Sequence, residues 1–289
     1  MSAIANFLQL TKPSIVLLVL VTALAALGAQ GLLFEEPLQA LLIVLAIGMS
    51  AGSANAFNQF IDRDIDAEME RTRNRRPIPM GKISPKSAFV FALVLGLVST
   101  FYLGVQWSWL SAGLAAFTIF YYTVIYTIWL KRSHYYNIVI GGAAGSAGPI
   151  IAWAAAEGQV SNYAWILFAL IFMWTPAHFW ALALAIKEEY RKVSVPMLPV
   201  VCGDQRTRKE IVLYTWSLLP ISLMPVFFGM TTWFYGASAI GLWLWYIVET
   251  YKRLKMADRK SYLKLFYFSI LYLFLLFCAV GVDGALRYF

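Results

Sequence analysis

Uncharged stretches at 13–34, 37–61, 87–130, 133–156, 158–186, 211–248 and 265–282 dominate the chain, separated by polar segments. A spanning α-helix needs about 20 predominantly apolar residues. The stretches 87–130 and 211–248 are too long for one helix and too short for three, so each predicts a hairpin turning near 104–108 and 229–232. The pattern predicts an all-α polytopic membrane protein of nine transmembrane helices in a bundle. Their expected ranges are 13–34, 38–60, 87–105, 108–130, 134–156, 163–186, 211–229, 232–250 and 264–283, within a single domain spanning 1–289.

Composition agrees with that pattern. Of 289 residues, 61% are hydrophobic and only 13% are charged, where soluble domains carry about a quarter charged. Disorder, a disulfide scaffold and a secreted globular enzyme are excluded. The two cysteines, Cys202 and Cys278, lack ligand spacing.

The net charge of +8 depends on where the cations lie. On the predicted spans, 22 of 23 Lys and Arg residues fall on one side, and only Arg287 on the other. A sided charge of this kind orients a membrane protein and is no nucleic-acid footprint. It places the N-terminus in the cytoplasm and the C-terminus outside. Lys12 precedes a span too long for a cleavable leader, and a bacterial inner membrane is the simplest placement.

Most outer connections are short, whereas two inner ones, 61–86 and 187–210, are long and rich in functional groups. The first opens as Asn58-Gln59-Phe60-Ile61-Asp62-Arg63-Asp64-Ile65-Asp66. Steps of four residues advance only about 40° round a helix. Asn58, Asp62 and Asp66 therefore share a face, Asn55 lies close to it, and Asp64 points the other way. Two stacked carboxylates and an amide repel unless a cation joins them. Mg²⁺ suits one or two carboxylates, completing its shell with water and phosphate. The block Arg71-Thr72-Arg73-Asn74-Arg75-Arg76 that follows suits phosphate oxygens. The plainer alternative is a charged helix end whose acids and bases pair at the membrane surface. Ionisable groups there are expensive to place, which favours the functional reading.

The second connection carries Lys187-Glu188-Glu189-Tyr190-Arg191-Lys192 and Val195-Pro196-Met197-Leu198-Pro199-Val200, with looser spacing. Within the 163–186 span, His178 follows Pro176, which frees backbone carbonyls for other partners. His178 reads either as bonded to such a carbonyl, or as a haem contact or proton-transfer group. His134 reads as a loop residue, and the run 141–148 as small-residue packing surface.

Asn58-x3-Asp62-x3-Asp66 resembles the first aspartate-rich motif of the intramembrane prenyltransferases, the UbiA superfamily. The longer string from Asn58 to Asp66, then Met69-Glu-Arg-Thr72, is closer still to the branch that farnesylates protohaem IX. Leu130-Lys131-Arg132, the string 137–145, His178-Phe-Trp-Ala-Leu-Ala-Leu184 and the string 195–201 follow in the family's order, over about half the chain. Departures are Gln59 where Asp is frequent, Ala177 and Gly148 where Pro is usual, and Glu189 where Asp is commoner. The superfamily's second Asp-x3-Asp motif is not spelled out.

The resemblance implies helices surrounding a central cavity open to lipid and capped by 61–86 and 187–210. It also implies farnesyl transfer from farnesyl diphosphate to a vinyl group of haem b, giving haem O. Asn58, Asp62 and Asp66 are expected to hold Mg²⁺. Arg71, Arg75, Lys131, Arg132, Lys187 and Tyr190 are expected around the diphosphate. Glu189 and His178 are expected to serve the final addition of water, and His178 to touch haem. Membrane lipid and proteins of haem synthesis or terminal-oxidase assembly are the expected partners. Two rival readings use the same features: a sister enzyme prenylating an aromatic or quinone precursor, and a secondary transporter. The acceptor pocket separates the first. Acids at the membrane edge, without paired midplane breaks, argue against the second.

Overall fold

The computed structural model describes residues 3–289, and every regular element among them is helical. The long helices are α1 (Pro13–Gln30), α2 (Pro37–Ile61), α3 (Pro85–Gln106), α4 (Trp109–Ser133), α5 (Asn137–Glu157), α6 (Asn162–Ala185), α7 (Gly203–Phe227), α8 (Trp233–Met256) and α9 (Arg259–Tyr288). All of these except α8 are long and apolar enough to cross a membrane. Large apolar side chains such as Leu97, Phe101 and Trp109 face outward, as expected of a surface solvated by lipid. The chain is an integral membrane protein.

Local chemistry sets the helix ends. Ser84, Ser108, Ser161 and Asp258 each accept a bond from a first-turn N–H of the helix that follows. Proline opens α1, α2 and α3 at positions where its missing N–H costs nothing. The predicted helix at 134–156 is interrupted: it runs Asn137–Gly145 and restarts at Gly148–Glu157. Pro149 has no N–H to continue the ladder, which accounts for the break. The polar connection expected at 187–210 is itself partly helical, over Lys187–Lys192 and Leu198–Val201, and α7 already begins at Gly203.

Consecutive helices pack against one another, and α9 returns to pack on α1, so the bundle closes into a ring. The closure depends on small residues. A Cβ on Gly284 of α9 would lie 2.3 Å from the Gly28 carbonyl oxygen of α1. In lipid, where apolar burial gives helices little reason to associate, such backbone proximity supplies the van der Waals contact. At the same end Arg287 donates to the Ala29 carbonyl (2.8 Å) and to Asp283 (3.0 Å). Asp283 in turn accepts from the backbone N–H and hydroxyl of Thr232 at the start of α8. The opposite end gathers Lys12, the segment after α2, the end of α4 and the segment after α6.

Candidate active site

At the end of α2 the helix continues through a slight turn at Asp62 into a short helix, Arg63–Glu68. The Asp66 N–H still bonds the Asp62 carbonyl (2.8 Å), which preserves the i, i+4 spacing. Asn58, Asp62 and Asp66 are all buried.

Each acid has cationic company. Asn58 Nδ2 donates to Asp62 Oδ2 (2.8 Å) and to Thr127 Oγ1 (3.1 Å). Lys131 Nζ donates to the same Asp62 oxygen, and Arg76 to Asp66. Arg132 Nη2 lies 3.8 Å from Asp62 Oδ1. That oxygen is buried and accepts no hydrogen bond. Lys12 Nζ donates to Asn58 Oδ1 (2.6 Å). Burial pushes the Lys12 ammonium well below the usual lysine range, and Arg76 and Lys131 add to the effect against the pull of Asp62 and Asp66. Burial also raises the Asp66 carboxyl, with the Arg76 guanidinium opposing it.

Local structure brings these groups together. Before Lys131, α4 winds as a π-helix over Tyr121–Leu130, with Thr127 Oγ1 bonded to the Tyr122 carbonyl (2.7 Å). The wider turn alters the register, so that Thr127 reaches Asn58 and Lys131 reaches Asp62; such turns recur at functional sites. Lys12 comes from the other side. It occupies the left-handed region (φ 53°) in the turn between Ala3–Leu10 and α1. Asn55 Nδ2 donates to the Thr11 carbonyl (3.1 Å), and Gln59 Nε2 to the Gln9 and Leu10 carbonyls (3.0 Å each). This explains the departure at Gln59: a carboxylate there has no hydrogen to offer those carbonyls.

The structure distributes the remaining candidates unevenly. Arg76, not Arg75, reaches an aspartate; Arg75 is exposed. The Arg71 side chain is half-buried, and its backbone N–H donates to Glu189 (3.1 Å), linking the two polar segments. Lys187 pairs with Asp204 at the start of α7 (2.9 Å to each oxygen). Tyr190 is buried, which pushes its hydroxyl pKa up. Arg132 makes a bidentate pair with Asp64 (2.8 Å twice), and this holds the Asp64 carboxyl at about 2. Lys12, Thr127 and Asp204 had no assigned site role in the sequence, and Arg76 stood only as one member of the basic block 71–76. Only the Lys-Pro pair that opens α1 marked Lys12.

Farther along α6, the His178 ring lies between Trp174 (centroids 4.2 Å) and Phe266 (4.4 Å). Its Nδ1 is 2.7 Å from Ser269 Oγ. The Ser269 hydroxyl gives its one hydrogen to the Phe266 carbonyl (2.7 Å). It must therefore accept from Nδ1–H, which leaves the lone pair of the neutral ring on Nε2. His134 is an exposed loop residue whose Nδ1 accepts from the Tyr136 N–H.

An aspartate face crowded by cations at one end of a helical membrane ring suits a diphosphate group. The model of the UbiA prenyltransferase family matches residues 18–278. The chain belongs to the UbiA prenyltransferase family. Among its relatives is a protein of Gloeobacter violaceus named "Protoheme IX farnesyltransferase", 49% identical over 98% of this chain and 93% of its own length. A Deinococcus radiodurans protein of the same name is 47% identical over 97% and 93%. Solved structures share the fold at 16% identity. A digeranylgeranylglyceryl phosphate synthase gives a TM-score of 0.77 over 98% of this chain and 99% of that one. A UbiA homologue from Archaeoglobus fulgidus bound to GPP and Mg²⁺ gives 0.67 over 95% and 99%. Membership of a prenyltransferase family removes the transporter reading.

Proposed function

We propose that the chain transfers the farnesyl group of farnesyl diphosphate to a vinyl group of haem b, releasing diphosphate and giving haem O. The observation that carries the diphosphate half is the buried Oδ1 of Asp62, which accepts no hydrogen bond and is set among Lys12, Lys131 and Arg132. The names of relatives matched over nearly the whole chain supply the acceptor and the prenyl group.

The acidic face fits a divalent cation. Asp62 Oδ1 is open, Asp66 stands one turn on, and Asn58 orients Asp62 through its Nδ2. Asn58, Asp62 and Asp66 are the residues that would hold Mg²⁺; the A. fulgidus homologue binds that ion together with a prenyl diphosphate. When bound, Mg²⁺ supplies Lewis-acid neutralisation of the departing diphosphate.

The chain's cations work with it. Lys131, Arg132, Arg71 and Arg76 stabilise the anion most as the C–O bond breaks and its electron pair leaves with the diphosphate. Arg75 and Lys187 stand farther out, as a rim, whereas Tyr190 is buried near Arg71 and Arg76. The allylic cation formed at C1 needs a pocket without water. The vinyl group attacks that carbon, water adds to the resulting cation, and one proton is lost. Glu189, close to Arg71, is the base proposed for that proton. His178 contacts haem through Nε2, with Nδ1–H fixed by Ser269, the arrangement that orients metal-ligating imidazoles.

Nine spans surround the substrate cavity in this reading, α8 being the ninth. Its Trp and Tyr residues lower its hydropathy, yet it packs between α7 and α9. The sided cations place the active site at the cytoplasmic face of a bacterial inner membrane, with the N-terminus inside and the C-terminus outside. Haem-synthesis or terminal-oxidase assembly proteins are its proposed partners. Incubation of the purified protein with farnesyl diphosphate, haem b and Mg²⁺ should yield the mass of haem O on chromatography. Haem left unchanged while another acceptor is prenylated would overturn the assignment.

A further inference from the structure

We propose that Asp64 is a positioning residue of the diphosphate site: its two-pronged grip on Arg132 fixes that guanidinium beside the open oxygen of Asp62. The inference rests on the prenyl-transfer reading above.

Asp64 lies off the face shared by Asn58, Asp62 and Asp66. Both its oxygens are used on Arg132, by Nη1 and Nη2 at 2.8 Å each. Nη2 also donates to the Ile61 carbonyl (3.3 Å), at the last residue of α2, and stands 3.8 Å from Asp62 Oδ1. The guanidinium is thereby held at three points around the end of α2. Lys131 contacts one oxygen of Asp62, and Arg132 is poised by the other. Asp62 is thus flanked by adjacent cations from one helix.

Stability alone accounts poorly for this arrangement. The Asp64 side chain is 59% exposed and that of Arg132 is 37% exposed. Exposed pairs contribute about 0–1 kcal/mol, because water screens them and two long side chains must be ordered. Ordering Arg132 before the ligand arrives, however, removes that entropic cost from binding. Arginine suits the role because its rigid planar fork grips both Asp64 oxygens in a fixed geometry while another N–H points elsewhere, a geometry that a lysine's rotating ammonium does not impose. The pair borders a cavity of about 260 Å³ that Val193, Ser194 and Val195 line from the opposite polar segment.

The test uses the full chain in detergent. Binding of magnesium pyrophosphate is measured by calorimetry, and prenyl transfer by KM and kcat. In Asp64→Asn and Asp64→Ala, the pyrophosphate Kd and the KM for prenyl diphosphate should rise roughly three- to tenfold. The kcat should stay within about twofold, the pattern of lost uniform binding, and the melting temperature should fall only slightly, as loss of an exposed pair allows. Asp64→Glu should restore most of the affinity. In an Arg132→Gln background, Asp64→Asn should add nothing. Wild-type affinity in both Asp64 variants, or an undiminished effect of Asp64→Asn without Arg132, overturns the inference. A wild-type protein that binds pyrophosphate but transfers no prenyl group refutes the prenyl-transfer reading instead, and the binding comparison still decides the role of Asp64.

Discussion

Lys131 donates to Asp62 across 69 positions of sequence, joining the end of α4 to the end of α2 inside the membrane ring. The contact defines both the chemistry and a liability, because each buried charge relies on the other. Asp62→Asn should lower Mg²⁺-dependent diphosphate release by about 10²–10³, the range for removing one preorganised electrostatic group. It should also lower stability, since truncating one partner of a buried pair costs about 3–5 kcal/mol. Lys131→Met in the same chain should recover stability without recovering turnover. Diphosphate release at the wild-type rate in folded Asp62→Asn would remove the metal assignment.

The pH dependence of metal binding should follow Asp66. Burial raises its carboxyl above the ordinary 3.8, so a proton competes with Mg²⁺ at a higher pH than for an exposed aspartate. Apparent Mg²⁺ affinity should therefore fall as pH drops into that range, and Asp66→Asn should flatten the profile. Asp64 works in the opposite sense. Its carboxyl, lowered to about 2 by Arg132, contributes stability that is complete above about 4 and is lost on acidification toward 2. Magnesium titrations of activity at several pH values would check the first expectation, and thermal melts of wild type and Asp64→Asn the second.

Ser269 fixes the tautomer of His178, so the two residues should act on haem together. His178→Ala should shift or abolish the Soret band of the haem complex. Ser269→Ala should leave haem bound but weaken it about 10- to 100-fold, as loss of an outer-shell partner does. An unchanged haem spectrum and affinity in His178→Ala would make the Trp174–His178–Phe266 stack a packing device only.

Gly284→Ala tests the closure of the ring. The added methyl would meet backbone, the Gly28 carbonyl and Ala29 Cα at 2.9 Å, and no flexible side-chain end. The two helices must separate, at a cost of about 1–3 kcal/mol. A lower melting temperature in detergent is the expected readout. Gly241→Ala, whose Cβ meets nothing within 4 Å, should melt as wild type does.

Several features were legible in the sequence because they follow from local rules. Length and hydropathy alone required membrane helices, and the helical period alone put Asn58, Asp62 and Asp66 on one face. The motif order also required no coordinates. The partners of the acids were not legible, because they come from distant segments and depend on backbone geometry. Lys12 reaches Asn58 through a left-handed turn held by Asn55 and Gln59, and Lys131 reaches Asp62 after a π-helical stretch. Neither a turn's handedness nor an added residue per turn shows in hydropathy. The choice of Arg76 over Arg75, and the claims of Asp204 on Lys187 and Asp64 on Arg132, likewise needed the tertiary structure. The sequence determined which chemical groups the protein carries to one end of its helices. Packing decided which of them meet, because an ion pair forms only where two backbones bring its side chains within about 4 Å.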